Sequence, residues 1–541
     1  MPTPRDYREA YATFSVAALA RDALSGDLEL GLNACVECCD RWARDGAVAL
    51  RWISKEFERV AVTYQQLQRD SARFANLLKA RGIGKGDIVA GLLPRTPELL
   101  SVILGTWRAG AIYQPLFTAF GPAAIESRVT AVGGSQAKLI VADEIQAPKL
   151  KDLPNCPPVL VDDRARGGGD FSAEMAMRSE VFAPVMLTGD DPFVMLFTSG
   201  TTGKPKGVVY PLKNLLAFHV YARDGLDLKN GDSYWCVADP GWAYGLICTI
   251  VGPLMQGATT RMHEAAFTVE GALRIIKEEG VTNLAAAPTA YRLLKAAGEA
   301  AMAPIKGQLR VASSAGEPLN EEVVKWAQHG LGVALRDHYG QTEMGMCVNN
   351  HHALAHPTKP NSAGLPMPGF ALAVLDDSLR QVPRGTAGVL AVDRKASPLF
   401  HFDGYHKAAT PALTEDWYVT GDTMMQDADG YFFFVGRNDD VITSAGYRIG
   451  PFDVESAAME RAEVAEVAVV GKPDPERTEI VKAWIVLRAG VAPSEALKAD
   501  IQAHVRARLG AHAYPREIEF TTELPKTPSG KVQRFLLRQR G

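Results

Sequence analysis

Helix-like and strand-like hydrophobic patterns alternate through most of the chain, and this alternation limits its fold more than any other feature. Residues 64–81 and 97–109 carry apolar side chains at helical spacing, and short apolar runs follow them at 88–93 and 110–116. Apolar runs of this length between helices indicate parallel strands that helices cover. The pattern recurs at 138–142, 193–197, 269–279 and 281–287. The sequence therefore predicts an α/β fold with parallel-rich sheets.

The alternation changes near residue 364. Short β-like runs separated by Gly, Pro and Asp follow, and this spacing favours a small, more antiparallel β subdomain at about 364–437. Because 541 residues exceed what one hydrophobic core usually supports, we expect more than one domain. We predict a large N-terminal domain at 1–437 that includes this subdomain.

The last part of the chain alternates again. Strand-like runs at 464–470 and 481–487 precede a helix at 494–509 and a further strand-like run at 517–520. A segment of this kind with about 100 residues falls in the usual size range of a domain. The sequence therefore predicts a small α+β C-terminal domain at 438–541.

Composition argues against nucleic-acid and membrane functions. The formal net charge is −4, so the chain lacks the basic excess that binding to a phosphate backbone requires. Its longest apolar runs are far shorter than the roughly 20 residues that cross a bilayer. The first residues carry charges and prolines rather than an apolar signal core. We therefore expect a cytoplasmic protein with no membrane span and no nucleic-acid partner.

Two groups of potential metal ligands can be set aside on spacing. Cys35, Cys38 and Cys39 lie close together, but the remaining cysteines are scattered singly and supply no second pair. We predict that this cluster is a packed helix face. His351 and His352 have no matching acidic or histidine pair beside them. They are predicted to be surface or loop residues.

A glycine-rich loop follows the apolar run at 193–197. The loop, Thr198-Ser-Gly-Thr-Thr-Gly-Lys-Pro-Lys-Gly, combines hydroxyl residues, glycines and two lysines. Glycines allow several backbone N–H groups to approach one anion, while hydroxyls and lysines add donors and positive charge. This composition predicts a polyphosphate site.

A Walker-type phosphate loop is the first rival for this segment. Its pattern requires four residues between the glycines and a Ser or Thr after the lysine. Here Gly200 and Gly203 are too close, and Pro205 follows Lys204 and removes an N–H donor. The Walker interpretation therefore fails.

The loop instead resembles the signature of the adenylate-forming superfamily, which includes acyl-CoA synthetases, peptide-synthetase adenylation domains and luciferases. Six further matches occur in the order of that family and extend the resemblance from about residue 50 to the C-terminus. They are Ala315-Gly-Glu-Pro-Leu, Tyr339-Gly-Gln-Thr-Glu, Trp417-Tyr-Val-Thr-Gly-Asp, Gly436-Arg-Asn-Asp-Asp-Val-Ile, Gly446-Tyr-Arg-Ile-Gly-Pro-Phe-Asp-Val-Glu and Pro525-Lys-Thr-Pro-Ser-Gly-Lys-Val-Gln-Arg.

The resemblance implies a reaction in two halves. A carboxylate attacks the α-phosphate of ATP and releases pyrophosphate, and a thiol then attacks the acyl-adenylate. The family position makes Lys531 the lysine that contacts carboxylate and α-phosphate, although Lys526 is equally cationic. Glu343 matches the glutamate that helps to hold Mg²⁺, and Thr342 is expected to contact phosphate. Expected cofactors are therefore ATP and Mg²⁺, with coenzyme A as co-substrate.

The resemblance also implies a nucleotide site. Asp422 is expected to accept hydrogen bonds from the ribose hydroxyls, with support from Arg437, and residues 316–318 are expected to form a wall against adenine. The full expected set is Thr198, Ser199, Gly200, Thr201, Thr202, Gly203, Lys206, Gly316, Glu317, Pro318, His338, Tyr339, Gly340, Gln341, Asp422 and Arg437.

Two further regions follow from the same resemblance. Asp439 matches the hinge at which the mobile small domain swings between the half-reactions. Gly446, Tyr447 and Arg448 are expected to border the tunnel for the CoA thiol.

Segments 235–242 and 244–258 resemble the acetyl-CoA and medium-chain acyl-CoA synthetase branch. Acetate-specific members carry a tryptophan after the motif tyrosine, where this chain has Gly340. A hydrogen in place of an indole should open a volume for several methylenes, each of which contributes about 0.8 kcal/mol when buried. We therefore expect an acid larger than acetate, either medium-chain, branched or arylalkanoic. The predicted pocket is bordered by Trp242, Ala315, Gly340 and Met344.

Other functions stay open on the sequence alone. One is a free-standing adenylation enzyme that loads an acid onto a carrier protein, and Asp239 could then hold an amino acid's α-ammonium group. Another is a non-catalytic nucleotide-binding protein, which would not need Lys531. A monomer and a homodimer are both compatible with the sequence.

Overall fold

The computed structural model describes residues 4–130, 133–163, 169–198, 205–437, 440–444, 447–475, 477–511, 513–526 and 531–540. The α-helices are α1 (Tyr7–Ala12), α2 (Val16–Ala23), α3 (Ala34–Cys38), α4 (Tyr64–Ala80), α5 (Pro97–Arg108), α6 (Pro122–Val129), α7 (Gly169–Ala176), α8 (Asn214–Val220), α9 (Ala243–Gly245), α10 (Gly252–Met255), α11 (Val269–Glu278), α12 (Pro288–Ala296), α13 (Glu299–Met302), α14 (Glu321–Trp326), α15 (Pro451–Met459), α16 (Glu495–Leu509) and α17 (Arg534–Arg540). Three π-helical segments continue α8, α9 and α14, at Tyr221–Gly225, Leu246–Val251 and Ala327–Leu331.

The strands fall into large, mostly parallel sheets in the first part of the chain and antiparallel sheets later. They are β1 (Arg5–Asp6), β2 (Val48–Ile53), β3 (Arg59–Thr63), β4 (Ile88–Leu92), β5 (Ile112–Pro115), β6 (Leu139–Asp143), β7 (Val159–Asp162), β8 (Pro192–Thr198), β9 (Lys206–Pro211), β10 (Tyr234–Cys236), β11 (Thr260–His263), β12 (Asn283–Ala286), β13 (Val311–Ala315), β14 (Leu335–Gln341), β15 (Gly345–Asn349), β16 (Leu354–Ala355), β17 (Leu365–Pro366), β18 (Leu372–Leu375), β19 (Ala387–Asp393), β20 (Trp417–Gln426), β21 (Phe432–Arg437), β22 (Ile442–Ser444), β23 (Tyr447–Ile449), β24 (Val464–Asp474), β25 (Thr478–Leu487) and β26 (Glu517–Phe520).

Two six-stranded sheets form the large part of the molecule, as the predicted α/β class requires. The first has the order β7-β6-β4-β5-β8-β9 and the second β10-β12-β13-β14-β15-β17. Both are parallel until their last strands: β9 runs antiparallel to β8, β15 runs antiparallel to β14, and β17 runs antiparallel to β15. No helix separates β8 from β9 or β14 from β15 in the element order, as antiparallel neighbours allow.

Helices α4 and α5 approach each other unusually closely where they pack together beside the first sheet. Thr63 and Gln66 form a capping box at the start of α4. A Cβ added at Gly105 of α5 would lie 2.6 Å from Cβ of Phe74 in α4. Glycine is therefore required where the two helices cross.

The later sheets separate along the chain. Strands β18, β19, β20 and β21 form one antiparallel sheet, which confirms the predicted β subdomain, although β17 still belongs to the second large sheet. Strands β22 to β26 form another sheet with α15 and α16 against it, and this unit has a core of its own around Val454, Ile485 and Val505. Among the residues described, no helix combines the length and apolar character needed to cross a membrane.

The structure accounts for both sets of possible metal ligands. Cys35 and Cys38 lie in α3 and Cys39 just after it, all fully buried, so the predicted packed helix face is confirmed. His351 and His352 lie in a loop, one of the two positions predicted for them, but His351 is not at the surface. Its ring is fully buried and stacks on Tyr7, with ring centroids 5.5 Å apart. The flanking sequence gives no sign of this burial because the N-terminal helix that covers it is more than 300 residues away.

A buried carboxylate fixes the N-terminal segment on α3. The fully buried Glu37 accepts hydrogen bonds from the backbone and hydroxyl of Ser25 and from the backbone of Gly26, and it pairs with Arg41 at 2.6 Å. Each donor loses its partner if the carboxylate is removed.

We therefore expect Glu37→Ala to lower the melting temperature measured by calorimetry by several degrees. Breaking a buried, hydrogen-bonded ion pair typically costs about 3–5 kcal/mol. Glu29→Ala, at an exposed carboxylate of the same segment, serves as the matched control. Equal melting temperatures for the two variants would contradict this role of Glu37.

Candidate active site

The predicted motifs converge where the carboxyl ends of β13 and β14 meet the sheet of β20 and β21. Strand β14 carries Tyr339 and Gln341, and its register against β15 shifts between these two residues. Strand β20 carries Asp422 directly opposite Arg437 of β21. Residues from three strands of two sheets therefore come together, at the edge where ligands bind in α/β proteins.

Asp422 is the most heavily contacted carboxylate of this region. Tyr339 Oη donates to its Oδ2 at 2.6 Å, and Gln341 Nε2 donates to the same atom at 2.7 Å. Burial raises the pKa of Asp422, while the Tyr339 hydrogen bond and the positive charges of Arg437 and Lys531 lower it. The carboxylate is thus held in one orientation by groups that favour its ionised form. The expected contact with ribose hydroxyls stays a prediction.

Glu343 lies beyond the end of β14 and is held by an aromatic residue. Tyr405 Oη donates to Glu343 Oε1 at 2.8 Å, and the ammonium group of Lys206 lies 4.8 Å from the centre of the Tyr405 ring. Burial raises the pKa of Glu343 and the Tyr405 hydrogen bond lowers it. Next to it, the backbone oxygen of Thr342 accepts a hydrogen bond from Tyr210.

The donor set around Glu343 fits magnesium held mainly by a nucleotide. Within the described ranges, no three His, Cys, Asp or Glu side chains come together as a metal cage. Mg²⁺ commonly takes only one or two protein carboxylates and completes its coordination with phosphate and water. A single carboxylate beside the phosphate hairpin is compatible with that pattern, and Glu343 would be the protein ligand.

The two candidate lysines of the C-terminal segment differ in their surroundings. Lys526 pairs with Glu466 at 2.6 Å inside the small C-terminal unit. Lys531 is exposed, and its charge lowers the pKa of Asp422. Lys531 thus affects a carboxylate of the site whereas Lys526 is paired elsewhere, and the role that the resemblance implies for Lys531 stays a prediction.

The Gly316 to Pro318 turn follows β13 directly. Gly316 has φ of +98°, which favours glycine, and no described atom lies within 4 Å of the position that a Cβ would occupy. Glu317 accepts a hydrogen bond from Arg292 at 2.7 Å and from Thr289. The turn is thus open at Gly316 and held by hydrogen bonds at Glu317, which suits a surface that contacts a flat base. The adenine contact itself stays a prediction.

His338 does not offer a free nitrogen to a nucleotide, contrary to its expected place in the nucleotide site. It is almost fully buried; Nδ1 lies 2.9 Å from Tyr221 Oη, and Nε2 lies 3.3 Å from the backbone oxygen of Asn350. Burial lowers the pKa of His338 to about 3, so the ring is neutral near pH 7. It supports β14 from behind the site.

Several expected site residues fall where the structure gives limited information. Thr198 and Lys206 face each other across the hairpin of β8 and β9 that carries the phosphate loop. Tyr447 and Arg448 belong to β23, and only their backbone is described. The remaining ones lie outside the described residues: Ser199, Gly200, Thr201, Thr202, Gly203, Asp439 and Gly446.

The backbone around Gly340 corrects one step of the sequence argument. A Cβ at this position would lie 2.0 Å from the backbone oxygen of Gly345, so the glycine allows β14 and β15 to approach each other. The missing side chain therefore leaves no empty space in that direction. Met344 and Ala315 are buried near the same strand ends.

Trp242 belongs to a separate aromatic group. Its ring packs on Phe117 and Phe120, with centroids 5.3 and 5.2 Å apart, and its buried Nε1 has no hydrogen-bond acceptor among the described residues. The preceding Asp239 pairs with Arg95 at 3.8 Å and accepts a hydrogen bond from the backbone of Gly241. Asp239 thus already has an internal cation.

Sequence reasoning missed three residues that organise this site. Tyr405 contacts Glu343, Tyr418 Oη donates to Gln341 Oε1 at 3.0 Å, and Arg95 neutralises Asp239. Tyr418 lies inside a recognised motif, so its position was a usable signal. Tyr405 and Arg95 lie outside the motifs quoted for the resemblance, and only the fold brings them to the site.

Fold and site together define an adenylate-forming enzyme. The model of the AMP-binding enzyme family matches residues 39–405, and that of the AMP-binding enzyme C-terminal domain matches residues 453–531. The chain therefore belongs to the AMP-binding enzyme family, in which it is an acid–thiol ligase of the acyl-CoA synthetase branch.

Three relatives illustrate this placement. The chain is 36% identical to the acetyl-coenzyme A synthetase of Bacillus subtilis, over 99% of this chain and 95% of that protein. It is 35% identical to the mitochondrial acyl-coenzyme A synthetase ACSM4 of Mus musculus, over 94% and 91%. The crystal structure of the Brucella canis acyl-CoA synthetase has a TM-score of 0.80 at 51% identity, and 99% of each chain is covered.

The different surroundings of the two lysines lead to a direct prediction. Lys531→Ala is expected to lower ATP–pyrophosphate exchange at least 100-fold, because removing an aligned charge stabiliser typically costs this much. Lys526→Ala is expected to retain exchange within a few-fold, because its partner Glu466 lies in the small unit. Comparable losses in both variants would contradict the assignment of Lys531.

Proposed function

We propose that this acyl-CoA synthetase activates a carboxylic acid larger than acetate with ATP and Mg²⁺ and then transfers the acyl group to coenzyme A. The observation that carries the first step is the buried Asp422 carboxylate, which Tyr339 and Gln341 hold by hydrogen bonds and whose pKa the charge of Lys531 lowers. Binding alone would not need such a lysine, which argues against a non-catalytic nucleotide-binding protein.

The first half-reaction brings two anions together. An acid carboxylate must approach the α-phosphate of ATP, so the barrier is largely electrostatic repulsion and positioning. Lys531 and Lys206 would supply positive charge, and Asp422 and Arg437 would fix the ribose. No covalent protein nucleophile is required, since the carboxylate itself forms the new bond and pyrophosphate leaves.

Mg²⁺ would neutralise part of the triphosphate charge when it is bound. Glu343 is the carboxylate that we assign to it, with the hydroxyl of Thr342 directed at phosphate. The same proposal has two further parts. The small domain swings about Asp439 between the half-reactions, and the CoA thiol passes Gly446, Tyr447 and Arg448.

The preference for a larger acid rests on the small side chains around the proposed acyl pocket. Ala315 contributes only a methyl group, and Met344 is an adaptable side chain, whereas Gly340 contributes backbone because β15 lies against it. Trp242 would form the flat wall, since its contacts with Phe117 and Phe120 hold its ring in place. Relatives named acetyl-coenzyme A synthetase and acyl-coenzyme A synthetase are about equally similar to this chain, so a substrate panel is the deciding experiment.

An amino acid is a poorer substrate for this site. Its α-ammonium group would need a carboxylate without a cation, whereas Asp239 already pairs with Arg95. Burial raises the pKa of Asp239, which further weakens it as an ammonium receptor. We therefore disfavour a reaction in which an amino acid is loaded onto a carrier protein. We propose coenzyme A as the acceptor.

Pyrophosphate release should therefore be faster with octanoate or a phenylalkanoate than with acetate at equal concentration. Each buried methylene adds about 0.8 kcal/mol, so we expect kcat/KM to rise about fourfold per methylene until the pocket is full. Benzoate tests whether a ring without a spacer is accepted. Preference for acetate would contradict the proposed acid class while leaving the reaction intact.

The acceptor is tested separately. Acyl-adenylate formed in a single turnover should be consumed when coenzyme A is added, and a pantetheine-bearing carrier protein should not replace it. Gly340→Trp is unsuitable as a probe of pocket size, because its Cβ would collide with the backbone at Gly345 whatever the acid.

A further inference from the structure

Tyr405 lies on a segment between β19 and β20 that folds against the phosphate hairpin. The backbone N–H of His406 donates to the backbone oxygen of Gly207 at 2.8 Å, which fixes this segment to β9. The backbone N–H of Tyr405 donates to Thr410 Oγ1 at 2.8 Å. These two bonds hold the Tyr405 backbone on both sides, so its ring has a defined position beside the hairpin.

The Tyr405 side chain makes two different contacts through two of its parts. Its hydroxyl donates to Glu343 Oε1 at 2.8 Å, and its ring face receives the Lys206 ammonium group at 4.8 Å. Glu343 follows β14 of the second sheet, whereas Lys206 begins β9 of the first. One side chain therefore joins the two halves of the phosphate-binding region.

A second tyrosine extends this connection. Tyr418 and Tyr405 both pack on the Phe402 ring, and the Tyr418 hydroxyl donates to Gln341 Oε1 at 3.0 Å. Gln341 Nε2 in turn donates to Asp422 Oδ2 at 2.7 Å. One tyrosine thus contacts Glu343, the residue assigned to metal, and the other is linked through Gln341 to Asp422, the residue assigned to ribose.

The two contacts of Tyr405 have distinct physical effects. A hydrogen bond from a fixed hydroxyl restricts the rotamers of Glu343, so less conformational entropy is lost when the carboxylate binds a cation. A ring face orients the Lys206 ammonium without forming a salt bridge, so its N–H donors stay available to an anion. A carboxylate at position 405 would instead compete with phosphate for this lysine.

We propose that Tyr405 is a positioning residue that holds Glu343 for the Mg²⁺ ion and Lys206 for the phosphates of the same nucleotide. This inference rests on the proposed ATP-dependent function. It predicts that the two contacts contribute to separate parts of nucleotide affinity: the hydroxyl to the part that depends on Mg²⁺, and the ring to the part that does not.

The test is calorimetric titration of the full-length protein with ATP, in excess Mg²⁺ and in EDTA. Tyr405→Phe keeps the ring and removes the hydroxyl, so we expect the gain in affinity from Mg²⁺ to fall about tenfold with little change in EDTA. Tyr405→Leu removes both contacts and should weaken ATP binding in both buffers. Lys206→Met leaves Tyr405 intact. It should weaken ATP binding in EDTA and preserve the increase in ATP affinity that Mg²⁺ causes.

Tyr11→Phe is the matched control, because the Tyr11 hydroxyl donates to the backbone oxygen of Phe370 at 2.9 Å outside the site. It should titrate as the wild type does. If Mg²⁺ raised the ATP affinity of Tyr405→Phe as much as that of the wild type, the proposed role of the hydroxyl would be wrong. If Tyr405→Phe and Tyr405→Leu bound ATP equally well in EDTA, the proposed role of the ring would be wrong. If the wild type itself gained no affinity from Mg²⁺, the proposed function would fail as well.

Discussion

The buried carboxylate of Asp422 is the point on which the site depends. Its burial disfavours charge, and two neutral donors from β14 together with positive side chains from β21 and the C-terminal segment offset that effect. These donors come from separate sheets and from the small unit. The Asp422 carboxylate is therefore a common contact for elements that are distant in sequence. The placement of these elements relative to one another determines how strongly the carboxyl group is ionised.

The same principle applies to the metal end of the site. Glu343 is buried, and Tyr405 offsets part of the cost with a single hydrogen bond. Both acidic groups are thus held in place for the roles that we propose for them, Glu343 for a metal ion and Asp422 for the ribose. Preorganised groups of this kind suit a reaction whose barrier arises from bringing two anions together.

The sequence alone predicted the regular parts of the fold, and it singled out several residues that the fold brings together, among them Tyr339, Gln341 and Asp422. Helices α4 and α5 and strands β4, β8 and β24 begin within two residues of the predicted segments, because their periodicity and caps are local signals. The burial of His351, the closed space at Gly340 and the contact of Tyr405 with Glu343 were not predictable. Each depends on a backbone or ring supplied by a distant segment, and hydrophobic pattern carries no information about such contacts.

The central claim is that the described arrangement, with Lys531 near Asp422, serves the first half-reaction and must change for the second. Asn320 Nδ2, just before α14, donates to Ser456 Oγ of α15 at 2.9 Å, so cysteines at these two positions should form a disulfide that locks the arrangement. The deciding measurement is the rate of CoA thioester formation by the oxidised Asn320→Cys/Ser456→Cys protein relative to the same protein after reduction. The account predicts that oxidation preserves ATP–pyrophosphate exchange and abolishes most thioester formation, which reduction restores. An oxidised protein that forms thioester at the reduced rate would contradict it.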